Sequence, residues 1–585
     1  VSKMTAFKEV TEKENQLLEE VSKDQLMDFT RNIAKEVRLS GTEEELRAFE
    51  YAKAQLEAVG FETELQFTNG YISLPGKAAL KVDDVDFECI THAMALSAEN
   101  LTAEIIDLGL GKDADYSENN VQGKIVLMDG IATPGAVKKA TEQGAKGAIF
   151  INADYTHEMI VSPVWGTPVP DTVKLLPNIP VISITNANGK RLREKVGSGK
   201  NTGEMHTEIE TRFRPIPTLI AEIQGTVEPD KFVMFSGHID SWHYGVMDNG
   251  TANAIMLEVG RLLSKYKEQL HRSLRLAFWS GHSHGRYSGS AAYCDAHWEE
   301  LTEHCVLHVN VDSSGGKGAT VLTESNCMKE TRDLAREAIG ALTGDLFRGS
   351  RFGRSGDQSF WGTGTPSLFM GCSEQPPATN PAASAFSQLF GAGDSGGFGW
   401  WWHTTEDTLD KIDPDYLKRD CKVYLLILYR TLTEALIPIN QLAAVEDIIE
   451  GLQKWQEKAG EHFDLSLSLK RADELRKSVT TLQDEITEIS VNDQEEIRRV
   501  NEALMALSRF LVPLNYVKNS VFNHDLALNQ QAVPKLSEID RLITLDKESD
   551  AYQFSYTALV RNFNEVNYTL KQAKRVVDSI LVQLK

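Results

Sequence analysis

The segment SGHIDSWHYGVMDNGTANA, residues 236–254, gathers His238, Asp240, His243 and Asp248 into one short stretch. His238 and Asp240 stand just past the apolar run FVMFSGH, which reads as a buried strand. With one residue between them, both side chains can lean toward a common site where the strand ends. Histidine is the commonest zinc ligand, and a carboxylate beside it fixes its tautomer, so His238 is the expected ligand and Asp240 its orienter. Asp248 follows with Asn249 in a glycine-rich loop ahead of a helical pattern, a place from which a carboxylate could bridge two metal ions. Asp312 ends a second apolar run in VLHVNVDSSGG, and His403 precedes an acidic turn in WWWHTTEDTLDKID. Singly, a core histidine or an N-cap aspartate explains each of these. Together, two histidines and two aspartates at successive strand ends make the ligand set of a hard-to-borderline metal ion.

Further groups surround this set. LRLAFWSGHSHG brings His282, Ser283 and His284 to the end of another strand-like run, and an imidazole titrating near neutrality suits proton transfer or metal ligation. His243, between the two halves of the first segment, belongs to the same group of candidate catalytic residues as His282, His284 and Asp240. GHSHG also follows the G-x-S-x-G pattern of a serine nucleophile elbow, a minor reading because it leaves the His-Asp constellation unexplained. Trp400, Trp401 and Trp402 place an aromatic surface beside His403, with Trp402 next to it as a substrate contact. Arg351 and Arg354, just ahead of Asp357 and Gln358, could pair with a substrate carboxylate through their guanidinium forks.

The elements that must hold these residues are legible in outline. From about Pro217 to Ile437 strand-like runs alternate with helical stretches such as TANAIMLEVGRLLSKYKEQL, the signature of an α/β sheet with functional residues at strand ends. Upstream, Leu46, Phe49 and Leu56 keep helical spacing until Gly60, after which a strand is expected. From about Leu101 the texture changes to short apolar runs bounded by glycine (AEIIDLGLG, GKIVLMDG, GAKGAIFIN) and IPVISIT. After Ile437 the pattern is helical, with Leu559, Phe563, Val566, Leu570, Ala573, Val577, Ile580 and Leu584 on one seam and Leu475, Val479, Leu482, Ile486 and Ile489 on another. Such seams close either inside a helical domain or between two copies of a chain.

A chain of 585 residues is too long for one core. Its formal charge of −23 disfavours nucleic acid and anionic membrane surfaces as partners. No run approaches a membrane span, and the first residues lack the apolar stretch of a signal peptide. Six scattered cysteines without a C-x-x-C pair read as reduced thiols, and a cytoplasmic location is expected.

The succession GHIDSW, MDNGTANAIMLEVGRLL, LRLAFWSG, VNVDSSGG and HTTEDTLDKID resembles the zinc aminopeptidase family, particularly its glutamate carboxypeptidase and transferrin receptor branch. EVRLSGTEEELRAFEYAKAQLEAVGF is similar to that family's opening helix, and NNVQGKIVLMDG with KKATEQGAKGAIFIN resembles its inserted protease-associated domain. The resemblance implies a mixed α/β sheet flanked by helices over residues 20–90 and 216–437. It places a β-rich insertion at 91–215 and a helical domain at 438–585 where the branch dimerises, so a homodimer is expected. It makes His238 and Asp312 terminal ligands of one metal, Asp248 the bridging carboxylate and His403 a ligand of the second, with zinc, as one or two ions, the expected cofactor. Asp357 and Gln358 fall on the pocket wall beside the metals.

One motif departs from the family. Where it reads W-x-x-Glu-Glu-x-Gly, supplying a general base and a ligand of the second metal, this chain reads Trp279-Ser280-Gly281-His282-Ser283-His284-Gly285. The preferred expectation is a metal-dependent hydrolase of an amide or peptide-like bond in a small substrate, with a histidine of residues 282–284 replacing the lost ligand or base. The alternatives are a mononuclear metal-dependent lyase and an inactive binding protein on the same fold.

Overall fold

The computed structural model describes residues 8–368, 371–378 and 396–584. Among the described residues twelve strands build the β-structure: β1 (Glu62–Val82), β2 (Val85–Phe87), β3 (Ile90–Thr91), β4 (Ala98–Asp107), β5 (Ile125–Asp129), β6 (Gly147–Ile151), β7 (Val181–Ile184), β8 (Thr202–Ile223), β9 (Glu228–His238), β10 (Arg272–Trp279), β11 (Cys305–Asn310) and β12 (Ser367–Leu368). They connect in the order β12-β11-β9-β10-β8-β4-β5-β6-β7-β3, with β1 laid along β8 and β2 folded back on β1. β12, β11, β9 and β10 are parallel, and so are β4 to β7. β8 joins the two groups because it runs antiparallel to β10 with its second half and to β4 with its first.

Local sequence sets the elements. Helix Glu43–Ala58 starts at Thr42, whose hydroxyl accepts from the Glu45 amide, and three glutamates fill its first turn where the helix dipole favours them. It buries Phe49, Ala52 and Leu56, and the chain turns at Gly60, φ +95°, into β1, as the apolar spacing predicts. Helix Ala252–Lys265 is buried nearly all round, as a helix between a sheet and other helices must be. It packs against helices Lys23–Ile33 and Pro414–Thr433. The β1–β8 ladder was not readable in advance, because its partners lie more than a hundred residues apart; it runs from Glu62↔Glu222 to Val82↔Gly203. The expected division at residues 215/216 falls inside β8.

Helices Gln441–Ala459, Ser466–Thr487, Gln494–Tyr516, Glu538–Leu542 and Asp550–Gln583 follow. Both expected seams close within this region. Leu475, Val479 and Leu482 on one helix and Leu559, Val566, Leu570, Ala573, Val577 and Ile580 on another are buried, and the two helices pack together. All six cysteines are unpaired, and among the described residues no helix is long and apolar enough to cross a membrane.

The strand order places the site. β9 has β10 on one side and β11 on the other, so chain direction across the sheet reverses at β9. A crevice opens at the C-terminal strand ends at such a reversal. His238 ends β9, Trp279 ends β10 three residues before His282, and Asp312 follows β11.

Candidate metal centre

His238 is 1% exposed. Its Nδ1–H donates to the main-chain oxygen of Asp240 at 2.9 Å, which leaves Nε2 as the free ligand atom. That nitrogen lies 3.2 Å from Asp248 Oδ1 and 3.4 Å from Asp312 Oδ2, and neither it nor Asp248 Oδ1 has a hydrogen-bond partner. Burial opposes a charge on His238, but the summed field of Asp240, Asp248 and Asp312 outweighs it and lifts the imidazole well above its ordinary pKa. Burial likewise raises Asp248, and His238 and His403 more than reverse this, holding the carboxyl below its usual range. Bare buried nitrogen and oxygen atoms in so small a space fit a divalent cation.

The loop after β9 is tied down from both sides. Buried Arg38 donates to the carbonyls of Ile239 at 2.9 Å, Tyr244 at 2.8 Å and Gly245 at 3.1 Å. Gly245 has φ +50°, and a Cβ there would lie 2.3 Å from the Asp248 carbonyl, so the turn presenting Asp248 admits no side chain at that point. From the other side, buried Asp407 accepts from the amides of Met247 at 2.9 Å and Asp248 at 3.0 Å. Burial pushes its pKa up to about 7 against the pull of those two amides. Asn249 accepts from the Ser313 amide at 2.8 Å, and the Ser313 hydroxyl donates to Asp312 Oδ1 at 2.8 Å, so both aspartates are fixed to one frame. Sequence reasoning missed Arg38 and Asp407; the acidic turn after His403 was the only signal of either.

His282 occupies the place of the lost carboxylates. Its ring stacks on that of His238 with centroids 3.7 Å apart and planes 9° from parallel. Its Nδ1–H donates to Asp357 Oδ2 at 2.7 Å, and Asp357 Oδ1 accepts from the Ser290 hydroxyl at 2.9 Å. With Nδ1 engaged, Nε2 is the remaining ligand atom. One donor atom each of His238, His282 and Asp312 lie within 4.8 Å of one another. A carboxylate that orients an imidazole and raises its basicity is the usual outer support of a zinc ligand.

His403 completes the ring of candidates from the far side. It has φ +60°, its Nε2 is 2.9 Å from Asp248 Oδ2, and its Nδ1–H donates to the Glu158 carbonyl at 2.7 Å. The structure thus brings together His238, Asp248, Asp312, His403 and His282. Among the described residues no second group of three donors forms on the His403 side.

Several expectations are corrected. The carboxylate of Asp240 does not orient His238, whose Nδ1 it approaches only to 3.7 Å; it accepts instead from the amides of His282 at 3.2 Å and Ser283 at 2.9 Å. His284 is fully buried against Ser40, whose amide and hydroxyl reach its Nδ1 at 3.2 and 2.8 Å. Burial lowers its pKa to about 4, so the ring stays neutral at pH 7, with Nε2 buried and unpartnered. Arg351 and Arg354 do not face a substrate. Arg351 donates to the Asn515 carbonyl at 2.7 Å, and Arg354 donates to the Asp525 carbonyl at 3.0 Å between the rings of Trp165 and Trp361. These donors are consumed in docking the helical region. Trp402 is 4% exposed and stacks on His403 at 3.5 Å, a backing for the ligand rather than an open wall. Asp357 serves His282. Its neighbour Gln358 is 1% exposed with neither amide atom partnered. His243 pairs loosely with Glu158, Nε2 to Oε1 at 3.4 Å. The Ser283 nucleophile lacks its relay: among the described residues no hydrogen bond joins its hydroxyl to an imidazole, and its backbone N–H donates to Asp240.

Comparison with known proteins agrees with this arrangement. Residues 218–427 match the profile of peptidase family M28 and residues 100–192 that of the PA domain. The chain is 25% identical over 350 residues to the rat (Rattus norvegicus) protein "Aminopeptidase NAALADL1", covering 54% of this chain and 46% of the relative. It is 25% identical over 344 residues to the maize (Zea mays) "Probable glutamate carboxypeptidase VP8", covering 47% and 48%. The matched part spans about half the length of these curated relatives. An aminopeptidase from Aneurinibacillus sp. strain AM-1 superposes with a TM-score of 0.53 at 23% identity, over 71% of this chain and 95% of that one. A zinc aminopeptidase from Bacillus subtilis gives 0.54 at 19%, over 71% and 96%, which establishes the shared fold. The resemblance stated from the motifs therefore holds: an M28-type α/β region with a PA insertion.

Proposed function

We propose that this chain, an M28-type α/β region carrying a PA domain, is a zinc-dependent hydrolase of amide or peptide-like bonds in small substrates. The observation that carries the reading is the His282–Asp357 pair. Where the family pattern has two glutamates, an imidazole is turned into the cluster and held there by a buried carboxylate. A binding protein without metal chemistry has no use for a half-buried imidazole with its own buried orienting carboxylate. His238, Asp248, Asp312 and His282 would hold one zinc ion. All three imidazoles of the cluster spend Nδ1–H on an acceptor, which leaves Nε2 of His238 and His282 for coordination and Nε2 of His403 beside Asp248.

A zinc ion so held supplies Lewis acidity toward a scissile carbonyl and activates water. The chain's own residues do the rest. Asp240 fixes the backbone of residues 282 and 283, and Asp407 and Arg38 fix the Asp248 loop. His403, 2.9 Å from Asp248 Oδ2, offers an Nε2 that can hold a proton or a substrate oxygen beside the cluster. Gln358, buried with a bare amide, is suited to a substrate carbonyl or N–H.

Metal analysis together with a screen of dipeptides, acylated amino acids and small amides tests the reading. One zinc per chain and hydrolytic products are expected. No bound metal would overturn it, two ions per chain would overturn the mononuclear arrangement, and products of elimination would favour the lyase.

The same reading includes a homodimer. Helix Asp550–Gln583 leaves Phe554, Tyr568 and Val582 exposed, each two heptads from the next along one stripe. Light scattering of wild type and Phe554→Glu/Tyr568→Glu tests it, with a twofold drop in mass expected for the variant.

A further inference from the structure

A chain of side-chain hydrogen bonds links the inserted domain to the candidate ligand His282, and it starts at Trp165. The indole is buried, and its Nε1–H donates to the Ser359 hydroxyl at 2.9 Å. The Ser359 and Ser290 hydroxyls lie 2.8 Å apart, and the Ser290 hydroxyl donates to Asp357 Oδ1 at 2.9 Å. Asp357 Oδ2 accepts from His282 Nδ1–H at 2.7 Å. Chemistry at the two ends fixes the direction of the chain. An indole nitrogen can only donate, and a carboxylate can only accept. Ser290 therefore spends its one proton on Asp357, the Tyr287 carbonyl at 3.3 Å being the longer alternative. Ser359, which accepts from Trp165, is left to donate to Ser290. Three bonds thus run one way from Trp165 to Asp357, and the bond from His282 meets them at the carboxylate. Ser359, Ser290 and Asp357 are all buried.

Trp165 is itself firmly placed. Its ring packs on Tyr287 with centroids 4.5 Å apart, and Tyr287 meets the His282 ring edge-on at 5.0 Å. The Arg354 guanidinium covers the indole at 4.6 Å. The main chain around it is anchored too: the Gly166 amide donates to the Arg286 carbonyl at 2.6 Å, and Arg286 Nε donates to the Ser162 carbonyl at 2.9 Å. The Pro163 carbonyl accepts from the Ala527 amide of the helical region at 2.7 Å. Packing of this kind asks for an aromatic ring at position 165 but not for its N–H. The N–H is used on the chain of hydroxyls, where each bond polarises the next and holds it in one orientation. The last group so held is the carboxylate that orients a metal ligand. We infer that Trp165 is a positioning residue for His282, acting through Ser359, Ser290 and Asp357, so that the inserted domain sets how tightly the metal is bound. The inference rests on the proposed zinc reading for what His282 binds, but its test does not depend on turnover.

Zinc affinity of the full chain is measured by competition against a chelator, and the visible spectrum of the cobalt-substituted protein reports ligand geometry. Trp165→Phe keeps an aromatic ring and loses the donor. It is expected to weaken zinc binding about three- to tenfold, less than loss of the orienting carboxylate itself, and to shift the cobalt bands. Ser359→Ala breaks the same chain from the other side with the same expected result, and it serves where Trp165→Phe does not fold. In a His282→Ala background neither substitution is expected to change zinc affinity further, because the group they position is gone. A merely structural contribution would cost the same in both backgrounds. Wild-type affinity and spectrum in either variant, or an equal loss in the His282→Ala background, would overturn the inference. The expected coupling without hydrolysis of any amide would remove the hydrolase reading alone, whereas a wild-type chain that binds no zinc would overturn both.

Discussion

The Nδ1 atom of His282 and the Oδ2 atom of Asp357 lie 2.7 Å apart, a bond between the turn after β10 and a loop 75 residues further on. It fixes which imidazole nitrogen is free and where it points. A histidine at this position without Asp357 would be a ring in a polar crevice with two tautomers available. With Asp357 it becomes a preorganised donor stacked on His238.

His282→Ala is therefore expected to remove a ligand and Asp357→Asn only its orientation. Asp357→Asn should weaken zinc binding about 10- to 100-fold, and His282→Ala should weaken it further. Competition against a zinc chelator measures both, and equal affinity in Asp357→Asn and wild type would sink the assignment.

Ser283→Ala should leave turnover within about threefold of wild type, because Asp240 uses the backbone N–H of Ser283 and its hydroxyl has no relay. A fall of about a thousandfold with zinc retained would restore the serine mechanism.

Arg354→Ala should act on stability rather than on substrate. Removing a buried guanidinium that donates to the Asp525 and Leu526 carbonyls leaves those acceptors bare at a cost of about 2–4 kcal/mol. Denaturant unfolding should show the loss, with KM changed less than about twofold in the same variant.

Glu228 predicts an acid limb. Burial raises its pKa, but His271, Lys231 and Asn501 outweigh that and hold it at about 2. A carboxyl depressed from 4.5 in the folded state contributes stability that is present above pH 4.5 and is lost as pH falls through about 2. At neutral pH this amounts to about 3 kcal/mol. Because Glu228 accepts from Asn501 of helix Gln494–Tyr516 at 2.8 Å, it joins β9 to the helical region. Glu228→Gln should lower the unfolding free energy at pH 7 and flatten its decline between pH 4.5 and 2, as urea titrations would show.

Much of the centre was legible because its residues are adjacent to strong local signals. His238, Asp248, Asp312 and His403 each sit at the end of an apolar run or beside a glycine turn, and chain geometry alone sends them to one edge of a parallel sheet. Partners set by tertiary contact were not legible. Arg38, Asp407 and Glu158 come from a loop before the first long helix, a turn after His403 and the inserted domain, and no periodicity links them. Arg351 and Arg354 misled for the same reason in reverse. Their proximity in sequence to Asp357 suggested a shared role, whereas their side chains leave in the direction of the helical region. The β1–β8 ladder was missed because pairing of distant strands leaves no mark on either strand alone.

That ladder decides how the two parts of the molecule can communicate. β8 begins beside β4 in the inserted domain, passes Phe278 near the C-terminal end of β10 at Leu219 and ends beside Leu274, as one unbroken strand braced along its length by β1. The two parts are therefore joined by direct backbone pairing along one strand. Excising residues 91–215 would cut β8 and remove the hydrogen bonds that His157 and Glu158 share with the His403 loop. The inserted domain thus shares a strand and a set of loop hydrogen bonds with the region that carries the metal centre.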